Sequence, residues 1–233
     1  MEKNNVTNQT DRRRFLGKIT AGAATLGLAS ILQPLQAAAD PEIPGRSADD
    51  ADEWFKKVKG KHKIVFDATE PHDVFPFAWP RVFLLTNEKT GTPANECGVV
   101  VVLRHSAIGY ALQDKLWTKY NLGELFKADD PETKTAARRN PFWQPKPGAF
   151  KIPGFGEVQI GINELQSSGV MFCVCNAALT VYSAVAADMQ KLNAADAYKD
   201  FVAGVLPGIQ IVPSGVWALG RAQERGCGYI FAG

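Results

Sequence analysis

The sequence predicts a three-layer α/β/α sandwich on a mostly parallel five-stranded sheet. Three observations predict it. From His62 onward, short apolar runs alternate with longer segments of helical spacing, in the order β-α-β-α-β-α-β-α-β. The run Cys97-Gly-Val-Val-Val-Val-Leu103 is continuously apolar and largely β-branched, the mark of a strand covered on both faces. The segments between the runs are long enough for the crossovers that parallel strands need. Strand order cannot be read from these signals.

The elements follow in chain order. Asp49 to Lys59 predicts a short helix with Trp54 and Phe55 turned inward, as part of an N-terminal arm over residues 40–61. The domain proper spans 62–233. His62–Ala68 is its first strand, Thr69–Asp73 a turn, and Phe77–Asn87 a helix whose first turn is suited by Pro76 and Pro80. Cys97–Leu103 is the second strand. Ile108, Leu112 and Leu116 then recur at helical spacing, which predicts one helix over 107–120. Residues 127–156 break the pattern with Pro131, Pro141, Pro145, Pro147 and Pro153 around Phe142-Trp143, and read either as a lid or as a subunit-contact loop. Val158–Ser168 predicts a helix ended by Gly169. The third strand runs to Cys175, with a helix from Asn176 to about Met189. A short helix over Ala194–Phe201, a strand over Ile209–Val212, a helix over Val216–Arg225 and a last strand over Tyr229–Phe231 complete the order.

The first 39 residues are read as a targeting segment, not as fold. Arg12-Arg13-Arg14-Phe15-Leu16 precedes an uncharged, Gly/Ala-rich stretch from Ile19 to Leu32, and Gln36-Ala37-Ala38-Ala39 offers small residues for cleavage. The Arg12-Arg13 pair resembles a twin-arginine export signal, with Asp11 where Ser or Thr is usual. The expected location is the periplasm. Over the whole chain, 26 basic residues face 24 acidic ones. The leader holds five of the basic and two of the acidic residues, which leaves 21 against 22, a net charge of −1. That balance gives no electrostatic case for nucleic acid or a membrane surface as partner. All four cysteines lie beyond the leader, in a compartment that permits disulfides. Cys173 and Cys175, two apart on a strand, lie at the distance limit for one. There is no Cys-x-x-Cys, and His62, His72 and His105 are scattered, so no metal site is expected. No cofactor is expected either.

The candidate chemistry centres on Gly169-Val-Met-Phe-Cys-Val-Cys-Asn-Ala-Ala-Leu179. Cys175 stands where a strand becomes a helix. In open α/β sheets that carboxyl edge is where ligands bind, and the positive end of a helix dipole favours a thiolate. The alternative is that Cys175 is simply a small apolar residue of the core. His105 follows the strongest strand at the same edge and could act as a base, or be satisfied by backbone. His72, with Asp67 and Asp73, belongs to that edge too, as binding residue or loop cap. Asn176 could bind a sulfur oxyanion or cap its helix. Ser214 and Gly215 open a helix and form a possible anion seat. Arg138 and Arg139 either bring charge over the site or lie on a solvated loop. Cys97 and Cys227 sit where strands begin, at the opposite edge, and read as structural.

Three segments together resemble the DsrE/DsrF-like family: the strand–Cys175–helix junction, Leu206-Pro-Gly-Ile-Gln-Ile-Val-Pro-Ser-Gly215 and Ala222-Gln-Glu-Arg-Gly-Cys-Gly-Tyr-Ile230. The resemblance covers roughly residues 62–231. It implies a small α/β domain connected with sulfur relay, with Cys175 in the place of the cysteine that carries sulfur as a persulfide. It also implies a closed homo-oligomer, and a thiol protein or small sulfur species as donor or acceptor. The export signal and the long 127–156 segment depart from the best-known members. The alternatives are a non-catalytic binding module of the same fold and a structural oligomer subunit.

Overall fold

The computed structural model describes residues 48–233. The arginine pair and the rest of the leader lie outside them. Five strands form one sheet: β1 (His62–Ala68), β2 (Cys97–Leu103), β5 (Met171–Cys175), β6 (Ile209–Val212) and β7 (Gly228–Phe231). Their order is β6-β5-β2-β1-β7, and every pairing is parallel. The chain starts at β1, winds outward through β2, β5 and β6, then crosses back so that β7 lies on the other side of β1. The point where the winding reverses is thus between β1 and β7.

Helices cover both faces. On one lie α2 (Phe75–Lys89), α6 (Asn176–Gln190) and α7 (Ala194–Ala203), with a core that includes Phe66, Leu103, Phe172, Leu179 and Phe201. On the other lie α1 (Ala48–Phe55) and α8 (Gly215–Glu224), over a smaller core of Val65, Val100, Val102, Cys173 and Val212. All seven residues of β2 are buried, as its unbroken apolar run requires of a central strand. Burial of each of its Val and Leu side chains contributes about 1.5–3 kcal/mol before the entropy of ordering is set against it.

Two helices differ from the reading of the sequence. Residues 107–120 are not one helix. A 3₁₀ turn spans His105–Ala111, Leu112 is extended, and only then does α3 (Asp114–Tyr120) begin, followed by α4 (Leu122–Phe126). The backbone here bonds elsewhere: Leu206 N donates to Ala111 O, Gln113 N donates to Gly204 O, and Leu112 bridges Val205. The helix expected over 158–168 shrinks to α5 (Ile162–Ser167), because Val158 N donates to Phe150 O and the Glu164 carboxylate accepts from Gly161 N at the helix start.

Residues 127–156 are built into the domain. Phe142 is 1 % exposed and stacks on Phe77 at 4.2 Å and on Phe150 at 5.0 Å. Buried Asn140 donates from Nδ2 to Tyr110 O and Leu112 O, and its Oδ1 accepts from Phe142 N. A small antiparallel ribbon, β3 (Lys151–Ile152) with β4 (Gly156–Glu157), carries Phe155 at its exposed turn.

Candidate functional site

Parallel pairing brings the carboxyl ends of the strands to one edge. Leu103 of β2 is level with Val174 of β5, so the next residues, Arg104 and Cys175, stand side by side on adjacent strands. Cys175 closes β5 and caps α6: its Sγ accepts from Ala178 N at 3.3 Å. The helix starts here because the backbone turns from extended at Cys175 into Ala/Leu-rich sequence, and the thiol takes one of the orphan amides. Cys173, two residues earlier, packs with the core under α1 and α8, whereas Cys175 touches the core on the other face. All four cysteines are free thiols.

Arg104 dominates the polar chemistry beside the thiol, and the sequence reading missed it. Its Nε donates to Asp67 Oδ1 at 2.7 Å and its Nη2 to Asp67 Oδ2 at 2.9 Å, a two-pronged pair. Tyr229 Oη donates to the same Oδ2 at 2.8 Å. Asp67 is 1 % exposed. The bonds to Asp67 hold the Arg104 guanidinium above its ordinary value; partial burial works against this, and the negative charges available at Asp67, Tyr229 and Cys175 add to it. The signal that could have found Arg104 was its place directly after the strongest strand.

The expected site residues divide into those gathered near Cys175 and those taken elsewhere. Gly215 is drawn in, but as space and not as an anion seat: a Cβ there would lie 2.5 Å from Arg104 Cβ. Ser214 caps α8, its Oγ accepting from Trp217 N at 3.2 Å. Pro213 O accepts from Ala177 N at 3.2 Å, which ties the start of α6 to the loop that opens α8. Asn176 does not cap α6, since Cys175 does. Its Oδ1 accepts from Tyr198 Oη at 2.9 Å, and its Nδ2, in a residue 1 % exposed, has no partner among the described residues. His105 stands at the same edge with a left-handed backbone (φ 50°), but its Nε2 lies 3.1 Å from Tyr182 Oη, so its partner is that phenol and not the thiol. Burial pushes the Tyr182 hydroxyl up.

His72 goes to the reversal point instead. It sits against Gly233 and Phe75. That crevice between β1 and β7, where an open α/β sheet would hold a ligand, is filled by the chain itself: Gly233 O accepts from Thr69 N, Thr69 Oγ1 and Glu70 N. Asp73 takes a left-handed turn in the same loop. Arg139 pairs with Asp130 at 3.2 Å and Glu132 at 3.6 Å, within its own loop. Arg138 is held by its backbone, whose O accepts from Thr118 Oγ1.

A cavity of about 470 Å³ opens between α2, α5 and the 145–159 segment, lined among others by Arg81, Phe150, Phe155, Glu157 and Glu164. None of the expected site residues lines it, and Arg81 is engaged with Gln159 O and Ser168 Oγ. Among the described residues, no group of three or more His, Cys, Asp or Glu side chains could hold a metal ion. No helix among them is long and apolar enough to cross a membrane. In comparison with known proteins, no family model matches this chain and no curated protein is significantly similar to it.

Proposed function

We propose that the chain is an exported, periplasmic sulfur-handling protein of the DsrE/DsrF-like kind, in which Cys175 carries sulfane sulfur. One observation carries the reading: Cys175 Sγ accepts from Ala178 N at the amino end of α6, on the carboxyl edge of the sheet, with Arg104 on the adjacent strand close enough to feel its charge. In the forward step the Cys175 thiolate attacks the outer sulfur of a donor persulfide. A Cys175 S–S bond forms, the donor S–S bond breaks, and its electron pair leaves on the donor thiolate. Attack by an acceptor thiolate on the carried sulfur reverses the exchange and restores Cys175. No outside oxidant is needed.

The surroundings supply what such a site requires. Arg104 places positive charge beside the sulfur, and the free Nδ2 of Asn176 offers a donor to an acceptor atom in the same neighbourhood. His105 and Tyr182 form a proton-bearing pair at that edge. The runner-up is a non-catalytic module that binds a small ligand or a protein at the same edge. It is favoured by the low exposure of Cys175, 6 %, which is no greater than that of Cys97 and Cys227 at 7 % each.

Mass spectrometry of chain recovered from the periplasmic fraction tests the proposal. After incubation with a low-molecular-weight persulfide, the expected result is a gain of about 32 Da, one sulfur atom, on the Cys175 peptide. Cys175→Ser abolishes it. Sulfur found on another cysteine, or none at all, removes the reading in favour of the binding module. Absence of the chain from that fraction overturns the export part alone.

A further inference from the structure

Among the described residues, nothing pairs with the outer edge of strand β7. Soluble proteins blunt exposed strand edges with charge, proline or bulges, because free backbone groups there recruit another strand. β7 reads Gly228-Tyr229-Ile230-Phe231, carries neither charge nor proline, and all four residues are exposed. It pairs with β1 on one side and ends the sheet. Ala232 N donates to Asp67 O. By the two-residue period of a strand, the backbone of Ile230 faces β1 as well, and the N–H and C=O of Tyr229 and Phe231 face outward. Their side chains, by contrast, project above and below the sheet.

We infer that β7 is the dimer seam of this protein, pairing antiparallel with β7 of a second copy about a two-fold axis through Ile230. The partner is another copy of the chain because the edge is its own complement. Turned about Ile230, the outward groups of Tyr229 meet those of Phe231 in the partner, and those of Phe231 meet Tyr229, closing four backbone bonds in two hydrogen-bonded pairs. A charge near the axis would meet its own like, and this strand has none. The side chains match in the same way. Tyr229 leans to the α8 side, where it reaches Asp67, and Phe231 shares that side. Each Phe231 therefore faces a Tyr229 across the seam, the aromatic cross-strand pairing that stabilises sheets. On the opposite side, Ile230 borders a nearly all-apolar groove with Phe66, Trp79, Val82 and Phe83. Trp79 and Val82 are themselves exposed on α2, at 40 % and 37 %. The axis brings two such grooves together, so the strand pairing is flanked by apolar surface on the α2 side. The result is a continuous ten-stranded sheet with the two Cys175 edges left open.

Light scattering on the full chain at micromolar concentration tests this. The wild type is expected at twice the chain mass. Ile230→Lys sets two ammonium groups at the axis and is expected to halve the mass with an unchanged far-ultraviolet circular dichroism spectrum. A second variant does not depend on how that one folds. In an antiparallel non-hydrogen-bonded pair the Cα atoms are about 4.5 Å apart, within disulfide reach. Ile230→Cys should thus give a covalent dimer on mild oxidation, while Val185→Cys, exposed on α6, should not. A wild-type monomer, an assembly that Ile230→Lys leaves intact, or cross-linking through position 185 instead of 230 would each overturn the proposal.

Discussion

At the scale of residues, the strongest commitment in the molecule is Asp67. A carboxylate that is almost wholly out of water survives only if its lone pairs are taken, and here three donors take them. Asp67→Asn keeps the shape but turns an acceptor into an amide that faces a guanidinium. The expected loss is about 2–4 kcal/mol, below the range for a fully buried pair because Arg104 reaches water. Tyr229→Phe removes one bond to a charged group and should cost about 1–2 kcal/mol. Urea unfolding checks both, and a loss under about 0.5 kcal/mol for Asp67→Asn, the range of an ordinary surface change, would mean that the cluster adds nothing. Asp67 and Cys175 were both visible in the sequence as residues at strand ends. Arg104 too stands at a strand end, but its role could not be read there, because it depends on β2 lying between β1 and β5. That order puts Asp67 on one side of Arg104 and Cys175 on the other, and no local pattern encodes it. The same holds for Gly215, whose missing side chain makes room for a residue 111 positions earlier in the chain.

At the scale of elements, the five strands were legible because each is an apolar run bounded by turn residues, and α6 was legible from its Ala/Leu-rich continuation. The 107–120 segment misled because its apolar spacing is helical while its backbone bonds belong to the Val205–Leu206 segment, a long-range preference that local periodicity does not register. Residues 127–156 misled differently. Proline removes the regular signal, yet the aromatics between the prolines are core. The two roles are separable by mutation. Phe142→Ala deletes a ring packed between Phe77 and Phe150 and should cost about 3–5 kcal/mol. Phe155→Ala, 70 % exposed at the ribbon turn, should change stability by less than about 0.5 kcal/mol. Thermal or urea unfolding that gives the two variants similar small losses would return the segment to the status of a surface loop.

For the whole molecule, the titrating thiols and phenols whose values shift all shift the same way. Burial raises the thiols of Cys97, Cys173 and Cys227, with Glu96 adding at Cys97 and Lys63 opposing at Cys227. It also raises the hydroxyls of Tyr110, Tyr120, Tyr182 and Tyr229. A group whose folded value is raised binds its proton longer in the fold than in the unfolded chain. Its contribution is complete below the unfolded value and is lost as pH climbs toward the folded one. The loss begins with the thiols, since free cysteine titrates near 8.5 and free tyrosine near 10. Cys173, 0 % exposed in the core under α1 and α8, should dominate the first step. Over one pH unit above the free-thiol value, a single thiol kept neutral accounts for about 1 kcal/mol. Unfolding free energy from urea titrations should therefore be level near neutrality and fall between roughly pH 8.5 and 9.5, before the tyrosines enter. Cys173→Ala lowers stability at every pH through the lost packing, but its curve should be flatter across that window by about the amount one thiol contributes. An unchanged slope in Cys173→Ala would show that the buried thiol is not what ties this fold to neutral pH.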